Sequence, residues 1–262
     1  MTQYQEKASI TRVERLSTQT LRLTMRSPLI AGAARPGQFI MIRPSERHDP
    51  LLGRPFSIHQ ATGSGTLQIY FNVVGRGTAI LASARVDDEL DLLGPLGRGY
   101  QLVKDAPACL IGGGLGIAPL LFLAKERSRG GHHAADDRII LGGRSRADVE
   151  PLVEDYAQFG LSLHCITEDG TFGEKGLATD LLITHPLSTD TVIYGCGPQP
   201  MLAALHGICV KSGNPCQVSV ESVMACGMGA CLGCTVMGHD DNYVHVCVDG
   251  PVFDARDLQW QL

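Results

Sequence analysis

The sequence predicts a β plus α/β chain: an N-terminal six-stranded antiparallel barrel, a parallel-sheet α/β domain, and a small C-terminal cysteine module. Three observations predict it. Six short alternating runs, each closed by turn residues, occupy residues 1–104. Residues 105–215 alternate apolar strand-like runs with helical stretches and glycine-rich turns, the pattern of βα units. Residues 216–262 carry Cys226, Cys231, Cys234 and Cys247 in C-x4-C-x2-C register, with the fourth cysteine twelve residues further on.

Composition narrows the class. A chain of 262 residues is long enough for about two domains and a sizeable core. Hydrophobic residues make up 44% and charged residues 19%, an ordinary globular balance. The 31 glycines exceed the usual share and point to ligand-binding loops. Net charge is −5 with no basic run, which argues against nucleic acid as a partner. No apolar stretch approaches the ~20 residues of a membrane span. The opening, MTQYQEKASITRVERL, has no apolar core of the secretory kind. Cys109, Cys165, Cys196, Cys209 and Cys216 are scattered, as expected of reduced thiols in a cytoplasmic protein.

In the first part the expected strands are Ala8–Leu16, Thr20–Met25, Gln38–Ile42, Pro55–His59, Leu67–Val74 and Glu89–Leu93. Pro28, Pro36-Gly37, Gly63-Ser-Gly65 and Gly94-Pro95 mark turns between them. One helical stretch, Gly77–Ser83, interrupts the strands. Two pieces carry chemistry. In Arg54-Pro55-Phe56-Ser57 the arginine offers a planar fork for a diphosphate, the proline fixes chain direction, and the serine hydroxyl can bond a polar ring atom. In Gly75-Arg76-Gly77-Thr78 a helix opens, and its first N–H groups suit phosphate oxygens. Each piece alone also fits an ordinary strand start or helix start.

In the second part Ala108–Ile111 is a buried strand running into Gly112-Gly113-Gly114-Leu115-Gly116-Ile117-Ala118-Pro119 and then an apolar helix. This is a nucleotide cradle, with Pro119 suited to the first helical turn and Ile117 standing where a third glycine is usual. The strand Arg138–Leu141 ends near Arg144 and Arg146, where an ordinary NAD site has an acid for the ribose diol; this region does not decide NAD against NADP. Leu161–Ile166 reads as a strand and Gly176–Thr184 as a short helix. Thr191–Tyr194 is a strand ending in Gly195-Cys196-Gly197-Pro198-Gln199-Pro200-Met201, at the end of the sheet where open α/β folds bind ligands. The next helix places Met201, Leu202, Leu205, Ile208 and Cys209 on one face, which makes Cys209 a core residue. His132 and His133 sit in a polar turn with poor spacing for a metal.

The cysteine register is the plant-type ligand set for a 2Fe–2S cluster. Gly227, Gly229 and Gly233 let the loop wrap tightly and aim N–H groups at sulfur. A zinc site or four buried thiols are the competing readings, although zinc knuckles usually pair two C-x2-C units or add histidines.

Taken together, Arg54-Pro55-Phe56-Ser57, the aromatic strand end Tyr70-Phe71-Asn72 and the pair Gly77-Thr78 resemble the FAD domain of ferredoxin-reductase-like flavoproteins. Related proteins often carry arginine where Asn72 stands, so one charge contact to phosphate is replaced by a neutral amide. The string around Gly113, Gly114 and Gly116, and the C-G-P-x-x-M pattern at Gly195, Cys196 and Gly197, are similar to that family's nicotinamide-binding motifs. The resemblance implies that Cys196 sits beside the nicotinamide and helps place its reacting carbon against the flavin. Over nearly all 262 residues, with M-A-C-G-x-G-A-C-x-G-C and C-x-D-G-P-V-F as its most specific parts, the chain resembles the electron-transfer subunits of dihydroorotate dehydrogenase B. That implies domains of 1–104 for FAD, 105–215 for NAD and 216–262 for the 2Fe–2S cluster. It implies an FMN-containing dihydroorotate dehydrogenase catalytic subunit as partner, in a heterotetramer of two of each. Electrons would pass from that FMN through the cluster and FAD to NAD+. Subunits of bifurcating transhydrogenases or sulfhydrogenases share the architecture and form the alternative, and an iron–sulfur redox sensor is the non-enzymatic one.

Overall fold

Alternation along the N-terminal strands separates a core face from a solvent face. In Thr20–Arg26, Leu21, Leu23 and Met25 are fully buried while Arg22 and Arg26 point outward. The N-terminal strands are β1 (Tyr4–Arg15), β2 (Thr20–Arg26), β3 (Phe39–Arg43), β4 (Arg54–Ser57), β5 (Gln60–Ala61), β6 (Thr66–Asn72) and β7 (Glu89–Leu96), with β3 buried along Phe39–Ile42. These strands form one antiparallel sheet in the order β4-β3-β7-β1-β2-β6-β5. The computed structural model describes residues 2–45, 49–130 and 137–260.

The two edges of that sheet are consecutive in the chain. Strand β4 pairs with β3, β5 pairs with β6, and between them Ile58 N–H donates to Gln38 and His59 N–H donates to Gln68. Residues 54–61 therefore act as one bent strand that closes the expected six-stranded barrel. Its interior holds Ile10, Ile40, Ile58, Ile69 and Phe71. The turn expected at Pro28 is a short helix, α1 (Pro28–Ala33), because proline suits a first helical turn and Ile30 and Ala31 cap the barrel's apolar end. The second helix, α2 (Arg76–Ala82), matches the expected one within a residue.

The next sheet runs β11-β10-β9-β8-β12-β13-β16, built from β8 (Ala108–Gly113), β9 (Arg138–Gly143), β10 (Ser162–Thr167), β11 (Glu174–Lys175), β12 (Val192–Cys196), β13 (Cys216–Ser219) and β16 (Val252–Asp254). Every pair is parallel except β13–β16. Helices α3 (Ile117–Arg129) and α4 (Arg146–Ala157) cover one face; α5 (Asp180–Thr184) and α6 (Gln199–Ser212) cover the other. Strand β8 shows the division: Ala108 and Leu110 pack with α3 and α4, Cys109 and Ile111 with α5 and α6. Cys209 is buried on α6, as its position on the apolar face predicts.

The helix expected over Gly176–Thr184 starts only at Asp180. Gly176 has φ +146°, and the Asp180 carboxylate accepts from Leu177 N–H, so the chain turns before it coils. Residues 216–219, placed by sequence with the cysteine module, form a parallel strand of this sheet, and β16 from the same module lies beside it. The rest of the module is a hairpin, β14 (Thr235–Met237) with β15 (Tyr243–His245), and the cysteine loop. His132 and His133 lie outside the described residues. No helix among the described residues is long and apolar enough to cross a membrane.

Barrel and α/β layer are locked by charge. Arg22 on β2 reaches Asp155 on α4 at 2.5 Å and holds Glu14 through two further bonds. Inside the second layer, Arg127 and Asp137 form a buried pair at 2.7 Å. Arg127 also donates to the carbonyls of Val103 and Ala106, which fixes the connection between barrel and sheet.

Candidate functional site

The barrel, the α/β sheet and the cysteine module enclose two adjoining clefts. The first, about 320 Å³, opens between β4, the end of β6 and the start of α3. Arg54, Pro55, Phe56, Ser57, Tyr70, Phe71, Asn72 and Thr78 line it, so one wall gathers the barrel residues predicted from sequence apart from Gly77. Phe56 and Phe71 meet edge to face with centroids 5.5 Å apart and stiffen that wall.

Arg54 donates to the Leu52 and Gly53 carbonyls and lies over Gly77, where a Cβ would stand 3.0 Å from Arg54 Nε. Among the described residues no carboxylate pairs with it. A guanidinium left uncompensated beside the first turn of α2, above an apolar slot, suits a diphosphate with a flat ring system. The Thr78 hydroxyl is engaged locally: it accepts from the N–H groups of Val74 and Gly75 and donates to the Gly75 carbonyl. Asn72 accepts the Thr20 hydroxyl on its Oδ1, which leaves its amide NH2 to face the cleft.

The second cleft, about 600 Å³, lies at the carboxyl ends of the parallel strands. Gly113, Gly114 and Gly116 form one side, Gly197, Pro198 and Met201 another, and Gly142, Gly143, Arg144, Asp148 and Glu168 the far end. The two motif loops touch through backbone: a Cβ on Gly116 would stand 2.2 Å from the Cys196 carbonyl oxygen. Arg144 is clamped by Asp148, with Nε–Oδ2 at 3.1 Å and its backbone N–H at 3.0 Å from the same oxygen. Gly195 is buried under Leu205 and does not line the cleft. Cys196 is 2% exposed, directly behind Gly197. Burial, aided by Glu221, pushes its thiol up to about 12 against the Ser219 hydroxyl, so it stays neutral.

The cysteine loop packs on the barrel. Gly227 and Gly229 have φ +71° and +81°, and a Cβ on Gly227 would stand 2.6 Å from Met41 Cγ, so glycine is required for the loop to sit this close. Backbone N–H groups point at sulfur: Met228 and Cys231 donate to Cys226 Sγ at 3.4 Å, Gly229 to Cys247 Sγ at 3.2 Å, and Cys247 to Cys234 Sγ at 3.4 Å. Burial raises the Cys226 pKa, but these N–H groups outweigh it and bring the thiol down to about 6. Burial and the neighbouring Cys234 push Cys247 up to about 12, a proton that a bound metal centre draws off. Among the described residues no three metal-binding side chains converge on one ion position. Cys226 and Cys231 lie together, with Cys231 N–H on Cys226 Sγ, and Cys234 and Cys247 lie together, with Cys247 N–H on Cys234 Sγ. Two pairs of sulfurs ringed by N–H donors suit a two-iron rhomb.

Several lining residues are absent from the sequence motifs. Ser219, Val220, Glu221, Ser222, Met224 and Pro251 complete the first cleft. The alternating run Val218–Val223 just before the cysteines was the available signal. Asn72, Leu115 and Glu221 belong to both clefts, and Met224 is two residues from Cys226.

Residues 221–259 match the model described as the iron-sulfur cluster binding domain of dihydroorotate dehydrogenase B. The chain is 38% identical over 260 residues to the dihydroorotate dehydrogenase B (NAD(+)) electron transfer subunit of Geobacillus thermodenitrificans, covering 97% of this chain and 98% of that one. The subunit of the same name from Geobacillus kaustophilus is 37% identical over 259 residues, with the same coverage. Among solved structures, the NADH-dependent reduced ferredoxin-NADP oxidoreductase studied for flavin-based electron bifurcation superposes with TM-score 0.86 at 26% identity, over 97% of this chain and 90% of that one.

Proposed function

The chain belongs to the family of electron-transfer subunits of dihydroorotate dehydrogenase B (NAD+), and from that membership we propose that it carries electrons between a dihydroorotate-oxidising subunit and NAD+. In this reading Cys226, Cys231, Cys234 and Cys247 hold a 2Fe–2S cluster, the first cleft holds FAD and the second takes NAD+. The observation that carries it is the order of the sites. Met224 joins the cluster loop to the first cleft, and Asn72, Leu115 and Glu221 join the first cleft to the second.

When bound, FAD supplies the conversion between single electrons and a hydride pair. The chain's own residues bind and orient. Arg54 neutralises the diphosphate, and Phe56 and Phe71 hold the barrel wall against which the ring system lies. Ser57 and the Asn72 amide offer donors to its polar edge. The glycine turn at Gly113–Gly116 brings α3 N–H groups to the dinucleotide phosphates. Gly197 and Pro198 form the wall against the nicotinamide, and Cys196, neutral and shut behind them, fixes that wall in place. The N–H groups of Met228, Gly229, Cys231 and Cys247 stabilise thiolate charge at the cluster.

The partner in this reading is an FMN-containing catalytic subunit, two of each chain per complex, in the cytoplasm. Val223, Met228, Leu232 and Val248 are exposed apolar side chains around the cysteine loop and suit its docking face. The greater identity to the electron transfer subunits favours this over a bifurcating complex. The test is reconstitution. The isolated chain should oxidise NADH with artificial dyes and leave dihydroorotate untouched, and adding the FMN subunit should couple orotate formation to NAD+ reduction. Dihydroorotate turnover by the isolated chain would overturn the reading.

A further inference from the structure

Given the function proposed above, the nicotinamide lies at the end of the second cleft that joins the flavin cleft, and the diphosphate lies at the glycine turn after β8. The adenosine then falls to the far end, beyond the ends of β9 at Gly143 and β10 at Thr167. NAD+ and NADP+ differ only there, by a phosphate on the adenosine ribose. One arginine, Arg144, and two carboxylates, Asp148 and Glu168, face this end. Arg146, the other arginine of this turn, does not line the cleft. It is held by Glu150 at 2.7 Å, by the Thr171 carbonyl at 3.0 Å and over the Phe172 ring.

Arg144 is left as the group able to grip a 2′-phosphate, and its fork is already taken. Asp148 Oδ2 accepts from the Arg144 Nε–H at 3.1 Å and from its backbone N–H at 3.0 Å, and Asp148 Oδ1 lies 3.4 Å from Nη2. A carboxylate set against a guanidinium in this way takes the donors that a phosphate would use. Backbone packing puts it there: a Cβ on Gly143 would stand 2.8 Å from Asp148 Cβ, so glycine at the end of β9 lets the first turn of α4 come this close. Glu168 follows the neighbouring strand, with its backbone N–H on the Gly143 carbonyl at 3.0 Å. Among the described residues no hydrogen bond or ion pair engages its carboxylate.

We propose that Asp148 is a positioning residue that sets the choice of NAD+ over NADP+, by occupying the Arg144 fork that would otherwise bind the 2′-phosphate. A phosphate of this kind carries about two negative charges near neutrality. To reach Arg144 it must displace the Asp148 carboxylate and then sit among two carboxylates and one guanidinium. A neutral ribose diol has no such conflict, because it meets the carboxylates as hydrogen-bond acceptors. Selection here rests on a repulsive element as well as an attractive one. The clamp contributes little to stability, since Arg144 is 78% exposed, so variants of it should fold.

The test is calorimetry on the flavin- and cluster-loaded chain, with ADP-ribose and 2′-phospho-ADP-ribose as probes. The unsubstituted chain should bind ADP-ribose the more tightly, by about tenfold or more. Asp148→Asn should narrow that preference by about tenfold or more, through tighter binding of the 2′-phosphate probe. Asp148→Glu, which restores a carboxylate, should keep the parent's preference. Adding Arg144→Ala to Asp148→Asn should remove the gained affinity. In dye reduction the same change should appear in the ratio of KM for NADPH to KM for NADH. An unchanged preference in Asp148→Asn, or a gain that survives Arg144→Ala, would overturn the proposal and leave the functional reading standing. An unsubstituted chain that bound neither probe would overturn both.

Discussion

Gly77 lies directly under Arg54, with space for a Cβ only 3.0 Å from Arg54 Nε and 3.3 Å from its Cγ. The first turn of α2 and the guanidinium are thus one unit facing the flavin cleft. Arg54→Ala removes a charge-assisted contact and should weaken FAD binding by about 1.5–3 kcal/mol. Gly77→Ala should push Arg54 aside and give a smaller loss in the same direction. FAD dissociation constants from flavin fluorescence check both, and unchanged affinity in Arg54→Ala would place the diphosphate elsewhere.

The buried pair Arg127–Asp137 makes a stability prediction. Each side chain is 1% exposed, so Arg127→Met leaves Asp137 charged and unpaired in the core. The expected loss is about 3–5 kcal/mol in urea unfolding. Adding Asp137→Asn should recover part of it, since an amide keeps an acceptor for Ala108 N–H. No recovery would show that the bonds from Arg127 to Val103 and Ala106 dominate instead.

His59 makes a pH prediction. Its Nδ1–H donates to the Ala118 carbonyl at 2.6 Å, which fixes the tautomer and ties the barrel to α3. Its Nε2 is buried without a partner among the described residues, and burial brings its pKa down to about 4. Between about pH 6.5 and 4 the unfolded chain takes a proton that the folded chain refuses. Stability therefore falls with acid across that window, by roughly 3 kcal/mol in all. His59→Gln should flatten the slope of unfolding free energy against pH there, and an unchanged slope would assign it to other groups.

The four thiols differ in burial, so serine should not act on them equally. Cys231 is exposed, whereas Cys247 is 1% exposed in the core. Both Cys231→Ser and Cys247→Ser should lower iron and labile sulfide per chain. In the cofactor-free protein only Cys247→Ser should lower the melting temperature clearly, because it sets a hydroxyl among apolar neighbours. Full iron content in either variant would remove that residue from the ligand set.

Much of this was legible in the sequence, for local reasons. Leu21, Leu23 and Met25 alternate because one face of a strand is buried, and the glycine turn before α3 is written in consecutive residues. The cysteine spacing likewise needs no tertiary knowledge. Helix α4 is less legible because Pro151 stands inside it and only Val149, Leu152 and Tyr156 are buried. The run Val218–Val223 hints at a strand, but the place of Glu221 in the cleft depends on β13 lying next to β12, a pairing between residues more than twenty apart. Cys196 was legible as part of a motif, but its burial behind Gly197 follows from how two loops pack.

The central claim is that electrons pass between NAD(H) and the thiol-held cluster by way of the flavin cleft. Adding NADH anaerobically to the purified chain and recording its low-temperature electron paramagnetic resonance spectrum tests this in one step. The account predicts the rhombic signal of a reduced 2Fe–2S centre, arising without any partner subunit. A chain that holds iron, labile sulfide and flavin yet stays silent with NADH would contradict it.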